Sequence, residues 1–157
     1  MEDGRLTNLR ADFARLAIEW AKAEVPYQHR GTNRQGCDCT GILIGIAREM
    51  GFLKNYKLRK YPSDWNLHAG AGNQVIEEIS KFGHEINQSQ SGIGDIAVMR
   101  FGKCPAHCGI IVNENLIMVH CLKTNKRVKF DILKNSMWSS RWLTTYRPDE
   151  NKLNEYS

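Results

Sequence analysis

The thiol of Cys39 and the imidazoles of His107 and His120 are side chains of the types that can cut amides near neutral pH. A thiol becomes a nucleophile when an imidazole takes its proton, and the imidazole works best when a third polar group orients it. Cys39 sits where a helical pattern is about to begin. Unpaired backbone N–H groups and the positive end of the helix dipole favour thiolate there, and the same N–H groups can hold a developing oxyanion. Gly36 before it and Gly41 after it would let a substrate backbone come close. Taken alone this is a weak signal, because a cysteine near a helix start is more often a small buried hydrophobe.

The two histidines strengthen it. Residues 105–120 read as a β-hairpin with a histidine on each arm. A two-residue turn at Glu114-Asn115 pairs Asn113 with Leu116, which sets Gly109 opposite His120. His107 then lies on the same face as His120, on the diagonal, roughly 7–8 Å away at Cα and within reach of two long side chains. Gly109 puts nothing between them. A slip of one residue would turn His120 to the other face, so the register is a sharp test. Either histidine alone is as well read as a satisfied residue beside a buried strand.

The elements that must position these groups follow from periodicity. Leu6, Leu9, Phe13, Leu16, Ala17 and Trp20 recur at helical spacing over residues 6–24, and Pro26 bounds the run. Residues 25–37 read as loop. A second helix is expected from Asp38, a suitable N-cap, to Met50, largely buried and closed by Gly51. Residues 52–72 are irregular, with a helical turn around 63–67. A third helix is expected over 73–82, closed by Gly83. Short β-prone runs follow at 95–101, 107–112, 116–121, 127–132 and 142–147. Helices first and an antiparallel sheet afterwards make an α+β domain over residues 1–148, with a polar, frayed tail at 149–157.

Composition narrows the class. With 157 residues, 41% of them hydrophobic and 25% charged, the chain can build one packed domain. No run of about 18 apolar residues is present, so membrane insertion is not expected. Arg5, Arg10, Asp12, Arg15 and Glu19 interrupt any apolar region that would make the N-terminus a secretory signal, so the Sec route is not expected to carry it. The net charge of +5 suits an anionic partner or simply a solvated surface. Its basic residues lack the aromatic interleaving that favours nucleic acid. Five cysteines, an odd number without an export signal, argue for reduced thiols.

Several of these residues, in this order, resemble the NlpC/P60 family of cell-wall cysteine peptidases. They are Pro26-Tyr27, Asp38-Cys39-Thr40-Gly41, Gly94-Asp95-Ile96, His107-Cys108-Gly109-Ile110 and Met118-Val119-His120. Gly36-Cys37-Asp38-Cys39 and Pro62-Ser63-Asp64-Trp65 are similar to motifs of the family's bacteriophage subgroup. The resemblance spans about Arg15 to Arg147. It implies a papain-like fold with the cysteine at a helix N-terminus, Cys39 as nucleophile, His107 as base and His120 as third polar member. It also implies that Tyr27 assists the oxyanion and that Asp38, Thr40 and Gly41 line the substrate site, Asp38 against a substrate amine. The implied substrate is a peptidoglycan stem peptide, cut between D-γ-glutamyl and diaminopimelate. The implied partner is a phage tail or carrier protein that brings the enzyme from the cytoplasm to the wall, and no cofactor is called for. Thr40 stands where many members have Ser. Cys108 and Cys121 replace small or aliphatic residues and are expected to point away from the site, into the sheet.

Other readings compete. Cys37, Cys39, Cys104, His107, Cys108, His120 and Cys121 offer ligands for zinc, but Cys37-x-Cys39 is shorter than the usual ligand gap and some pairs would face opposite sides of the hairpin. A catalytically silent tail-assembly part and an acyl- or amide-transfer enzyme of the same fold are the others. His29, His68 and His84 are read as loop or surface residues.

Overall fold

The computed structural model describes residues 2–58 and 74–157. Helix α1 spans Glu2–Lys22. It starts earlier than periodicity alone suggests and ends in two capping bonds, Glu24 N–H to the Ala21 carbonyl and Val25 N–H to the Trp20 carbonyl. Glu24 takes the left-handed backbone (φ 52°) that this ending requires. Two short strands, β1 (Thr32–Asn33) and β2 (Gly36–Cys37), make a small hairpin ahead of helix α2 (Gly41–Glu49). Every residue of α2 from Gly41 to Ala47 is buried, so this helix runs through the core as its all-round apolar pattern predicts. Gly51, with φ 93°, closes it in the expected way.

Helix α3 (Gln74–Ser80) is shorter than expected. Gly83 does not close that helix. It opens strand β3 (Gly83–Ile86), whose backbone lies so near Arg147 that a Cβ on Gly83 would sit 2.5 Å from that carbonyl oxygen. The remaining strands are β4 (Ile96–Phe101), β5 (Cys104–Ile111), β6 (Ile117–Cys121), β7 (Val128–Ile132) and β8 (Trp142–Pro148). They form one six-stranded antiparallel sheet in the order β3-β8-β4-β5-β6-β7. The five later strands fall where the β-prone runs lie; β3, which owes its existence to pairing with β8, was not expected.

The tail differs from expectation. Residues 150–154 form helix α4, capped by Asp149, whose side chain accepts from the Asn151 and Lys152 N–H groups. Leu153 is buried, and Tyr156 packs edge-on against Tyr56 and Phe82. Leu153 and Tyr156, with Lys152 donating to the Ser80 and Gly83 carbonyls, dock the segment.

The sheet separates two cores. On one face Ala106, Cys108, Ile110, Val119 and Cys121 pack against α1 and α2; on the other, Ala97, Met99, Ile111 and Met118 pack with Leu133 and Trp138. No described helix is long and apolar enough to cross a membrane. The segment around Ser63–Leu67, the Pro62-Ser63-Asp64-Trp65 motif and His68 lie outside the described residues.

Candidate active site

The hairpin of β5 and β6 has the register read from its turn. Ile110 faces Val119 and Ile111 faces Met118, and the Val112 N–H donates to the Ile117 carbonyl at 2.8 Å. Asn113 organises the turn, its Oδ1 accepting from the Asn115 and Ile117 N–H groups. Gly109 is needed here. A Cβ on it would stand 2.6 Å from Met118 Sδ and 3.3 Å from the His120 Cβ. With that space clear, His107 Nε2 and His120 Nδ1 meet at 2.7 Å, both rings fully buried.

Two residues that sequence reading passed over complete this cluster. Asp131 Oδ2 stands 3.3 Å from His120 Nε2 and accepts from the Trp138 indole N–H at 3.0 Å, while its Oδ1 accepts from the Ile132 N–H. Trp138 also packs at 5.5 Å against both imidazoles, and Phe101 stacks on His107 at 5.9 Å. Asp131 carries a faint sequence signal: it alternates with Lys129 and Phe130 in a β-prone run next to the His120 strand. Trp138, in a loop, carries none.

Burial sets the protonation of the rings. It pushes His107 well below the usual histidine range, with His120 adding to the effect. Burial also lowers His120, to about 4, against the opposing pull of Asp131. Burial works to raise the Asp131 carboxyl, but the Ile132 and Trp138 N–H groups and His120 outweigh it and hold that carboxyl below its ordinary value. Both imidazoles are therefore neutral at rest and Asp131 is ionised.

Cys39 lies in the turn two residues before the first residue of α2. Its contacts lead to Cys108, whose thiol donates to the Cys39 carbonyl at 3.0 Å, whereas those of His107 lead to His120, Phe101 and Trp138. Among the described residues no hydrogen bond joins Cys39 to His107. Cys108 and Cys121 do turn to the sheet face opposite the histidines, but that face is where Cys39 packs, so Cys108 borders the site it was expected to avoid. The Cys121 thiol likewise donates to the Cys37 carbonyl at 3.2 Å. The helix start predicts a lowered Cys39 thiol; its neighbours act in the opposite direction. The neighbouring Cys108 thiol, then burial, then the negative charge of Asp38 hold it well above the ordinary thiol value.

The other expected residues gather on the Cys39 side. Tyr27 is half-buried there, and burial, Asp38 and the nearby thiols push its hydroxyl up to about 12, so it remains a donor. Asp38 is buried and its oxygens hold the loop: Oδ1 accepts from the Gly41 N–H at 2.8 Å and Oδ2 from the Arg30 N–H at 2.9 Å. It caps α2 from two residues ahead of Thr40, which occupies the N-cap position and is buried. Gly41 serves the fold. A Cβ on it would lie 1.8 Å from the Gly31 carbonyl oxygen. Among the described residues no group of three or more His, Cys, Asp or Glu is placed to hold a metal ion.

Comparison with known proteins bears on the same residues. The NlpC/P60 family signature matches residues 24–147, a stretch that contains all of them. Among solved structures, the chain is similar to an NlpC/P60 family protein from Bacillus cereus (TM-score 0.62, 18% identity, 88% of this chain and 40% of that one). It is also similar to a lipoprotein-like NLP/P60 family protein from Staphylococcus aureus (TM-score 0.62, 15% identity, 92% and 42%). The NlpC/P60 domain of the peptidoglycan hydrolase SagA matches with TM-score 0.56 and 15% identity, over 87% of this chain and 97% of that domain. The chain spans about two fifths of the length of the first two. Among curated proteins none matches the sequence.

Proposed function

This chain belongs to the NlpC/P60 family, and on that premise we propose that it is a cysteine peptidase or amidase that cuts the peptide part of bacterial peptidoglycan. The mixed α/β fold with its antiparallel sheet, shared with NlpC/P60 structures, supports the reading. So does the similarity to a peptidoglycan hydrolase domain. The observation that carries it is the 2.7 Å bond between His107 and His120, two buried neutral imidazoles inside the family-matched stretch.

In this reading Cys39 is the nucleophile, His107 the base and His120 its orienting partner. The thiol and imidazole start neutral, so the proton leaves sulfur as the carbon–sulfur bond forms and His107 receives it. The tetrahedral oxyanion is held by the Cys39 backbone N–H with the Tyr27 hydroxyl, which stays protonated. His107 then protonates the leaving amine, and water clears the thioester. Asp38, Thr40 and Gly41 shape the wall beside Cys39, and the Asp38 carboxylate offers an amine-binding charge there. The bond between D-γ-glutamyl and diaminopimelate is the proposed target. Delivery by a phage tail or other carrier rests on the motif resemblance at Gly36-Cys37-Asp38-Cys39 and Pro62-Ser63-Asp64-Trp65.

Mass analysis of purified muropeptides incubated with the protein tests this directly. Wild type should release the cleaved stem peptide, and Cys39→Ala and His107→Ala should each lose turnover while keeping the fold. Muropeptide cleavage by Cys39→Ala at the wild-type rate would remove the assignment.

A further inference from the structure

Asp131 and Trp138 lie outside every motif of the family resemblance, yet Asp131 meets the His120 ring at 3.3 Å and Trp138 packs on both imidazoles. We propose that Asp131, clamped by Trp138, is a positioning residue that fixes the tautomers of His120 and His107 and so leaves Nδ1 of His107 as the proton acceptor. This deepens the peptidase reading and rests on it.

The protons available to the three groups fix the arrangement. Ionised Asp131 can only accept, and its Oδ2 already takes the Trp138 indole N–H. The His120 nitrogen facing it at 3.3 Å, Nε2, must therefore carry hydrogen. A neutral ring has one N–H, so His120 Nδ1 is a bare acceptor. The 2.7 Å contact needs one proton, and it must come from His107 Nε2. That leaves His107 Nδ1 with its lone pair. The opposite arrangement would set a His120 lone pair against a carboxylate.

The surrounding groups agree. Lys129 faces His120 across the strand pair and opposes a proton on that ring. The Trp138 ring packs on both imidazoles, so one side chain fixes the acid and limits the swing of both bases. When the thiol proton reaches His107 Nδ1, the positive charge is met through His120 by the Asp131 carboxylate, and the proton passes on to the leaving amine without Asp131 being protonated.

The test uses the full chain, uniformly labelled with nitrogen-15, and long-range proton–nitrogen spectra of the imidazoles near neutral pH. Wild type should show both His107 and His120 as Nε2–H tautomers. Asp131→Leu removes the acceptor, so His120 should populate Nδ1–H, and muropeptide kcat should fall about 100-fold with KM little changed. Asp131→Asn keeps one acceptor oxygen but not the charge; with that oxygen facing the Trp138 and His120 N–H groups the tautomers should hold, and kcat should fall by about 10-fold. Trp138→Phe, which keeps the ring and loses the N–H, should give a smaller fall of a few fold. Wild-type tautomers in Asp131→Leu, with kcat within about twofold of wild type, would overturn the proposal. Should the wild type cleave nothing, the peptidase reading falls, and the spectra alone decide whether Asp131 governs the two rings.

Discussion

At the scale of the residue, the thiol of Cys39 is a protonated group in wait. Its neighbours raise its pKa, and the first of them is Cys108, whose own thiol reaches the Cys39 carbonyl. A thiol in that condition is a poor spontaneous nucleophile and depends on proton transfer at the moment of attack, which guards it against adventitious alkylation. Removing Cys108 should undo part of this. Cys108→Ala is expected to raise the rate of Cys39 alkylation by iodoacetamide several-fold at pH near 8, read by mass spectrometry of the Cys39 peptide. An unchanged rate would mean that burial alone holds the proton. Asp38 shows the same economy of roles: a carboxylate whose oxygens hold Gly41 and Arg30 N–H groups cannot swing freely toward a ligand.

At the scale of the element, the family-like Gly94-Asp95 pair is an anchor between helix and sheet. Gly94 has φ 86° and lies against the backbone of Arg10, where a Cβ would come within 2.3 Å of the carbonyl oxygen. Asp95, with no solvent exposure, takes two bonds of 2.9 Å from the Arg147 guanidinium, one from the Gly92 N–H and a longer one from Arg10. It thus ties α1 and β8 to the start of β4. Asp95→Ala leaves the arginines without their acceptor, and breaking a buried pair of this kind costs about 3–5 kcal/mol. In a domain of this size that is a melting temperature lower by roughly 10 °C. A calorimetric shift under about 2 °C would assign the anchor elsewhere.

At the scale of the whole molecule, the two cores make the sheet a partition, with Cys108 and Cys121 facing the helices and the rings of His107 and His120 packed beside Trp138. Burying neutral imidazoles there has a consequence for stability. The unfolded chain binds protons at each histidine below its usual value near pH 6.5, whereas the folded chain refuses them at His120 until about 4 and at His107 likewise well below the usual range. Folding stability is therefore complete above about pH 6.5 and is lost progressively as the pH falls toward 4. Urea midpoints should drop over that interval, and His120→Gln should flatten the slope. A midpoint that stays level from neutral pH to about 4.5 would mean that these rings are not held neutral.

What the sequence determined by itself was local in origin. The turn at Glu114-Asn115 and the alternation of the flanking runs set the hairpin register, and that register alone is enough to put His107 and His120 on one face. The apolar period of α1 and the all-round apolar face of α2 are likewise local patterns. Only the tertiary structure decided the rest, because it depends on residues that meet across long separations. Strand β3 exists through its pairing with β8, and α4 is held by Leu153 and Tyr156 against distant rings. Asp131 and Trp138 close on the histidines only once β7 lies beside β6. The resting proton on Cys39 depends on Cys108, which lies 69 residues away along the chain. A helix start favours thiolate only where solvent or cations can support the charge, and at Cys39 the groups that act on the thiol are Cys108, burial and the carboxylate of Asp38.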